Sequence, residues 1–540
     1  MADRRASGVQ LAEQPRTART IDRVPTGIAA FVGRALKGPV NRPLSVTSFA
    51  EFQHVFGGLW QPSTLSYAVE QFFENGGRKA LIVRVVNGAR PPTIALAAGS
   101  AALRLAGINP GSREYLRASV DYDGIVESEH DRFNLVVQRV RVAGTELIED
   151  QEIFRRVSVL PDSGRFVSHA LLESRLVRVV PPVPAQRPDR SGGGPGGAAV
   201  GYTVCNPDGD DGGPLTDYDV IGSATEGTGL FALQGASGFN MLCIPPLTRE
   251  RDVGMSTLLV AARFCRDRHA MLIVDPPSSW TCAREALDYL HTWPFRSDSA
   301  MMYFPRVQAF DRLRGRMETF GSCAAAAGMI ARTDAACPMW RAAGDDDPIL
   351  RPGLRPAVAV SDPDRLRLAH AGVNTLLAVR SSLRPGVSPR TLAAGGCGVS
   401  DWKYLDARRL ALFVATSIER GTRWLLLEHH GPETWERARK LAEEFLEDLA
   451  AEGAFAGRAP GDSHFVICDE RINQPHTIAS GQLNLLFGFA TSKPGEFDTW
   501  LVTHQPGGDR VRPVSVNRAA TCQRRVQWEI ETSILRAPLH

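Results

Sequence analysis

A few stretches of this chain carry residue types that do chemistry elsewhere. His429-His430 and the run Asp345-Asp346-Asp347 are the best metal-ligand candidates, because imidazole nitrogens bind transition metals and carboxylates bind hard cations. Paired histidines in a loop before a helix are usually solvated, however, and three adjacent aspartates cannot all face one ion. No metal is expected. Asp275, which closes the run MLIVDPP, stands where an open α/β sheet binds ligands, at the carboxyl end of a strand, but a lone acid does not make a site. The glycine-rich SGGGPGGAAVG lacks the Lys-Ser/Thr ending of a phosphate loop and reads as a linker. GSCAAAAG lacks the GxSxG spacing of a nucleophile elbow, and its small residues suit close helix packing. No catalytic, cofactor-binding or metal residue is assigned, so the expectation is a protein that is not an enzyme and carries no cofactor.

The elements around these stretches follow from periodicity. GIAAFVG (27–33) is a continuous apolar run fit for a buried strand. TSFAEFQHVFGG reads as a helix, with Ser48 and Glu51 at capping-box spacing and Gly57 as its stop. The next helix sets Leu65, Ala68, Val69, Phe72 and Phe73 on one face before Gly76-Gly77 ends it, and ALIVRVV (80–86) returns as a strand. A strand, helix, strand order implies a parallel pair. From 95 to 185 YLRASVDYD, RFNLVVQRVRV, TELIEDQEIFRRVSV and SRLVRVV read as an inserted β-rich domain, closed by a Pro/Gly-rich linker at 186–214.

Residues 215–358 return to α/β character, with strands in FNMLCIPP and HAMLIVDPP, a helix in VGMSTLLVAARFCRDR and an exposed loop in WRAAGDDDPILRPGLRP. In 359–505, DARRLALFVATSIERG is helical with Gly421 as its stop, and RWLLLE reads as a strand. GPETWERARKLAEEFLEDLAAEGAF carries Trp435, Ala438, Leu441, Ala442, Phe445 and Leu449 along one face, with Glu436 and Lys440 spaced for an i, i+4 ion pair on the other. HFVICDE, QLNLLFGFA and FDTWLVTH follow as strands. The fold class is a multi-domain α/β (mixed α+β) protein whose shared core is built from N-terminal (26–94) and C-terminal (359–505) parts around β-rich and α/β insertions.

Composition limits the function classes. At 540 residues the chain has room for roughly three or four domains. No apolar run approaches the ~20 residues of a membrane helix, and a net charge of +3 is too small to imply a nucleic-acid binder, so neither membrane insertion nor direct nucleic-acid binding is expected. The first residues have arginines but no apolar core behind them, so folding in a cytoplasm without a Sec-type signal is expected. Nine scattered cysteines without a CxxC pair read as reduced thiols. Both ends are mildly basic: residues 1–24 hold five Arg against three acids, and 505–540 six against three. They are either solvated tails or arms that meet complementary charge on a neighbour.

Two blocks resemble the tail sheath proteins of contractile phage tails and bacterial contractile injection systems. The first is TGIAAFVGRALKGPVNRPLSVTSFAEFQHVFGG running into LSYAVEQFFENGGRKALIVRV; the second is DWKYLDARRLALFVATSIERGTRWLLLEHHGPETWERARKLAEEFLEDLAAEGAFAG with CDERINQPHTIASGQLNLLFGFATSKPGEF. The resemblance implies a homo-oligomeric subunit of a helical tube around an inner tail tube protein, bounded by baseplate and tail terminator or cap proteins. Assembly would take place in the bacterial cytoplasm, within a virion tail or injection particle. It implies arms that add as strands to neighbouring subunits, the N-terminal one (1–25) carrying Gly8, Val9, Leu11 and Glu13 in SGVQLAEQ.

At the other end the resemblance implies C-terminal strands with Phe497, Trp500 and Val502, and either a further strand or an exchanged arm in 506–540 with Val526, Trp528 and Ile530. A charged helix must meet the tube, with Arg437, Lys440 and Glu444, or Arg408 and Arg409 of DARRL, as tube-facing candidates. Two other readings stay open: a noncontractile tail or baseplate component, and an α/β nucleotide-binding enzyme.

Overall fold

Every residue of β1 (Ile28–Gly33) is buried, and the alternation of its side chains feeds two different cores. Ile28, Ala30 and Val32 belong to one apolar cluster, while Phe31 points the other way and meets Phe72 edge-on with ring centroids 5.4 Å apart. A strand buried on both faces belongs in the middle of a sheet covered by helices on each side, and the computed structural model of the chain has that arrangement. It describes residues 19–143, 145–192, 201–236, 238–340, 349–377, 387–395, 402–457 and 460–514. The chain divides into two compact units, a larger one (25–337 and 343–405) and a smaller one (1–24, 338–342 and 406–540).

The larger unit begins with β1, the short β2 (Leu44–Val46), α1 (Phe49–Phe56), α2 (Thr64–Glu74) and β3 (Lys79–Arg84). Ser48 caps α1 by accepting from Glu51 N at 3.2 Å; the Glu51 carboxylate reaches one residue further back than a standard capping box, to Thr47 N at 2.7 Å. Gly57 stops the helix in the left-handed region, φ 91°.

A β-sandwich follows: β4 (Thr93–Ala98), β5 (Ala101–Gly107), β6 (Leu116–Asp121), β7 (Arg132–Ala143), β8 (Thr145–Ser158), the one-turn α3 (Val167–Ala170), β9 (Val177–Val180) and β10 (Thr203–Val204). The β4-β5-β9 and β10-β6-β7-β8 sheets close over Leu96, Leu105, Val120, Leu135 and Val137. The flanks of the expected 186–214 linker are tied to this sandwich. Ser191 N donates to Val120 O at 2.9 Å, the Tyr122 hydroxyl to Pro188 O at 2.5 Å, and β10 pairs with β6. Of the linker, 193–200 lie outside the described residues.

The chain then completes the first sheet through α4 (Asp217–Ile221), β11 (Met241–Cys243), α5 (Met255–Asp267), β12 (Met271–Val274), α6 (Ala283–Leu290) and β13 (Ala300–Phe304). A hairpin of β14 (Val307–Asp311) and β15 (Arg316–Phe320), α7 (Cys323–Ala336), β16 (Arg355–Pro356), α8 (Asp362–His370) and β17 (Asn374–Thr375) finish the unit. The sheet order is β17-β13-β12-β11-β1-β3-β2, parallel except for β2. β1 therefore sits between β3 and β11, and strands from 26–94 and from 215–377 form one layer rather than two cores. WRAAGDDDPILRPGLRP is not wholly an exposed loop: Leu350 and Leu354 are buried and Arg355–Pro356 pair with β14, while 341–348 lie outside the described residues.

The small residues of α7 do what their size predicts. A Cβ on Gly328 would stand 2.4 Å from the Phe72 carbonyl oxygen, and one on Gly27 3.2 Å from Ala331 Cβ, so α7 lies directly against α2 and the start of β1.

The smaller unit contains α9 (Leu405–Thr422), α10 (Pro432–Ala451), the short α11 (Pro460–Ser463) and α12 (Pro475–Ala479), and an antiparallel sheet β18-β19-β20-β21. Its strands are β18 (His464–Ile467), β19 (Leu483–Ala490), β20 (Phe497–His504) and β21 (Arg510–Val514). All six expected apolar positions of α10 are buried. RWLLLE is not a strand: Arg423–Leu427 form a 3-10 helix in which Leu425 is buried and Leu427 is 91% exposed. An apolar run this short does not fix its own period.

Candidate assembly site

Residues 19–24 are the root of the N-terminal segment, and they are bound along α9 and α10. Ile21 and Val24 are buried, and Val24 N donates to Ser417 Oγ at 3.2 Å. Arg23 pairs with Glu452 at 2.6 Å, while Arg19 stacks 4.1 Å above the Trp424 ring and lies 3.6 Å from Glu428. Gly421, expected to stop α9, instead lies inside it: a Cβ there would meet Ile21 at 2.7–3.0 Å. The glycine serves close approach of the strap, not helix termination. Gly8, Val9, Leu11 and Glu13 lie outside the described residues.

The charged face of α10 is organised around Arg439, which bonds Glu436 at 2.6 Å and Glu443 at 2.9 Å. Lys440 stands 4.0 Å from Glu444 rather than pairing with Glu436 as its spacing implied, and both are well exposed, at 72% and 57%. Arg437 bonds Glu428 at 3.1 Å. Arg409 is half-buried. Arg408 is only 3% exposed, with its guanidinium 5.9 Å over the Trp500 ring; it serves the interior and is removed from the tube-facing candidates.

Phe497, Trp500 and Val502 lie on β20, which is paired on both sides, by β19 and β21. Trp500 and Val502 are buried and Phe497 stacks edge-on against Phe465 at 5.1 Å, so these three build the unit's own core. β21 is the further strand that sequence left open, and Pro513 sits on it as an outer-strand residue should. Val526, Trp528 and Ile530 lie outside the described residues. Among the described residues, β18 and β21 each have one strand neighbour, leaving two outer strands of this sheet.

In the larger unit, connections run from β1 toward β3 in one direction and from β11 toward β13 in the other, so the point where α/β proteins hold ligands lies between β1 and β11. The β14–β15 hairpin occupies the α2 side of it. Asp311 accepts from the Tyr67 hydroxyl at 3.0 Å and from Arg249 at 2.7 Å, and Arg249 lies 4.6 Å over Tyr67 and 5.2 Å over Phe320. Burial, reinforced by the Asp311 carboxylate, lifts the Tyr67 phenol to about 12. Burial alone would raise Asp311, but the Leu313 N–H, the Tyr67 hydroxyl and Arg249 outweigh it and hold its pKa below the usual range.

Asp275 stands at the carboxyl end of β12, where it was expected, and receives Cys323 N at 2.7 Å, capping α7 from outside the helix. A Cβ at Gly321 would lie 2.4–2.7 Å from that carboxylate, so glycine is required there. His429 accepts the Thr434 hydroxyl through its carbonyl at 2.8 Å, and no group of three His, Cys, Asp or Glu able to hold a metal occurs among the described residues. Asp345, Asp346 and Asp347 lie outside them. The described cysteines are free, and burial pushes the Cys468 thiol up to about 12. No helix among the described residues is long and apolar enough to cross a membrane.

No protein-family model and no curated protein matches the chain. Solved structures do. A sheath tail protein from Listeria innocua shares 10% identity at a TM-score of 0.56, covering 90% of this chain and 96% of its own. The sheath complex of an extracellular contractile injection system in the contracted state shares 15% identity at 0.52, covering 92% and 97%. A chain from the anti-feeding prophage baseplate shares 16% at 0.50, covering 92% and 98%. Since the similarity spans both units and nearly the whole of each partner, the chain has the fold of the contractile tail sheath proteins.

Proposed function

We propose that this chain is the structural subunit of a contractile tail sheath, which polymerises helically around an inner tube and shortens to drive that tube through a target cell envelope. The observation that carries the reading is the sheath fold extending over nine-tenths of the chain. The strap at 19–24 supports it, because an arm whose root is fixed on α9 and α10 delivers residues 1–18, including Gly8, Val9, Leu11 and Glu13, to a neighbouring copy as an added strand. Val526, Trp528 and Ile530 act as the second arm. Arg437, Lys440 and Glu444, or alternatively Arg409, face the tube, and the exposed ion pairs of the first three suit a contact that has to break during contraction.

The chain is not an enzyme in this reading, and the hairpin packed into the α2 side of the ligand crevice supports that view. Contraction draws on new interfaces that form between subunits rather than on a bound nucleotide. Partners are further copies of the chain, an inner tube protein, and baseplate and terminator or cap proteins. Assembly takes place in the bacterial cytoplasm, within a phage tail or an injection particle. Negative-stain microscopy of the chain expressed alone and with the tube protein encoded beside it tests the proposal. Hollow, striated tubes support it; dispersed particles under both conditions reject it.

A further inference from the structure

The last turn of α9 holds two segments from opposite ends of the chain. Ser417 and Gly421, four residues apart and so on one stripe of the helix, seat the strap: Ser417 Oγ accepts from Val24 N at 3.2 Å, and Ile21 fills the space over Gly421. Another side of the same turn, with Glu419, Thr422 and Arg423, grips the connection from β20 to β21. His504, fully buried at the end of β20, lies between Thr422 and Asp509, with Nε2 2.8 Å from Thr422 Oγ1 and Nδ1 2.8 Å from Asp509 Oδ1. Arg423 donates through Nε to Asp509 Oδ2 at 2.8 Å and also pairs with Glu419 at 2.5 Å. β21 depends on this tether. It has a strand neighbour on one side, none of its five residues is buried, and Val514 packs against the cluster of Ile472, Leu486 and Leu501.

Helix ends fray unless they are tied down, and glycine at 421 weakens this one further. Both seats need the same turn wound, since unwinding it would separate Ser417 from Gly421 and Glu419 from Thr422 alike. Whichever segment docks first orders the turn, and the second then docks on a turn already ordered, so the two contacts reinforce each other. We propose that the last turn of α9 is a junction that couples the two terminal segments of the chain, so that pulling one from its seat loosens the other. The coupling belongs to the single chain; its use, passing strain between neighbours through both arms, rests on the sheath reading.

Hydrogen exchange of the full chain under native conditions tests the coupling without a tube or an assembled sheath. Asp509→Ala cuts the links to His504 and Arg423 and should speed exchange in 19–24, Val24 N included, by about 5-fold or more, with the centre of α10 unchanged. Ile21→Ala should speed exchange in 510–514 by a similar factor, because coupling between two sites is reciprocal. Arg423→Met, a milder change at a side chain that is 61% exposed, should move 19–24 in the same direction, and it decides the matter if Asp509→Ala does not fold. Exchange in 19–24 that stays at the parent rate, that rises only in step with α10, or a response in one direction only would each overturn the proposal. Such a failure would leave the sheath reading standing, since tube formation is a separate measurement.

Discussion

Gly421 and Ile21 stand so close that one extra carbon cannot be placed between them: a Cβ on the glycine would lie 2.7 Å from Ile21 Cγ1. Glycine inside a helix costs about 1 kcal/mol relative to alanine, and α9 accepts that cost to seat the root of the N-terminal segment. Gly421→Val should therefore destabilise the smaller unit by about 1–3 kcal/mol and open residues 19–24 to limited proteolysis. A double-mutant cycle with Ile21→Ala should recover part of the loss, as expected for residues in contact. Strict additivity of the two changes would show that the strap does not rest on this glycine.

The approach of α7 to α2 gives a second test. Because the atom facing Gly328 is the Phe72 carbonyl oxygen, part of the backbone, no rotamer change can relieve an added side chain. Gly328→Val should cost more than Gly235→Val, where no atom stands within 4 Å of the added Cβ. The difference, read from urea midpoints at constant slope, should be about 2 kcal/mol or more.

Glu70 predicts a pH dependence. Burial, reinforced by the neighbouring Glu74 carboxylate, raises it from 4.5 to about 7, against the pull of Arg312, 3.5 Å away. The folded state thus holds this proton more tightly than the unfolded chain does. The contribution is most favourable below about 4.5 and is lost progressively as pH rises toward 7. Glu70→Gln should flatten that fall relative to the parent when unfolding midpoints are followed across the window. Parallel curves would remove Glu70 as its source.

Lys440 and Glu444 separate stability from assembly. Both are exposed and 4.0 Å apart, so reversing either charge should change unfolding free energy by no more than about 0.5 kcal/mol. In the proposed sheath the same reversals should weaken attachment to the tube, with a sensitivity to salt that the parent shares. Unchanged co-sedimentation of tube and sheath would move the tube contact to another face.

Much of the fold is legible in the sequence because burial is periodic in α2 and α10, and because β1 and β12 are continuous apolar runs and β19 is one broken only by Asn484. What sequence misses depends on distant partners. Gly421 near a helix end looks like a stop, and only Ile21, 400 positions earlier, reveals its purpose. Arg408 looks like a surface charge until Trp500 comes over it. The insertion of β1 between β3 and β11 cannot be read from either segment alone, since parallel pairing joins residues about 200 positions apart. Periodicity puts Asp275 at a strand end, but its cap on α7 arises from tertiary packing.

Contraction itself is open to electron microscopy of sheath–tube particles before and after triggering, with length, diameter and subunit repeat determined from the same preparation. The expected outcome is a shorter, wider tube with the same number of subunits, still joined as one mesh. Particles that keep one length and diameter after the tube is released, or that shorten only by shedding subunits, would rule out a contractile sheath.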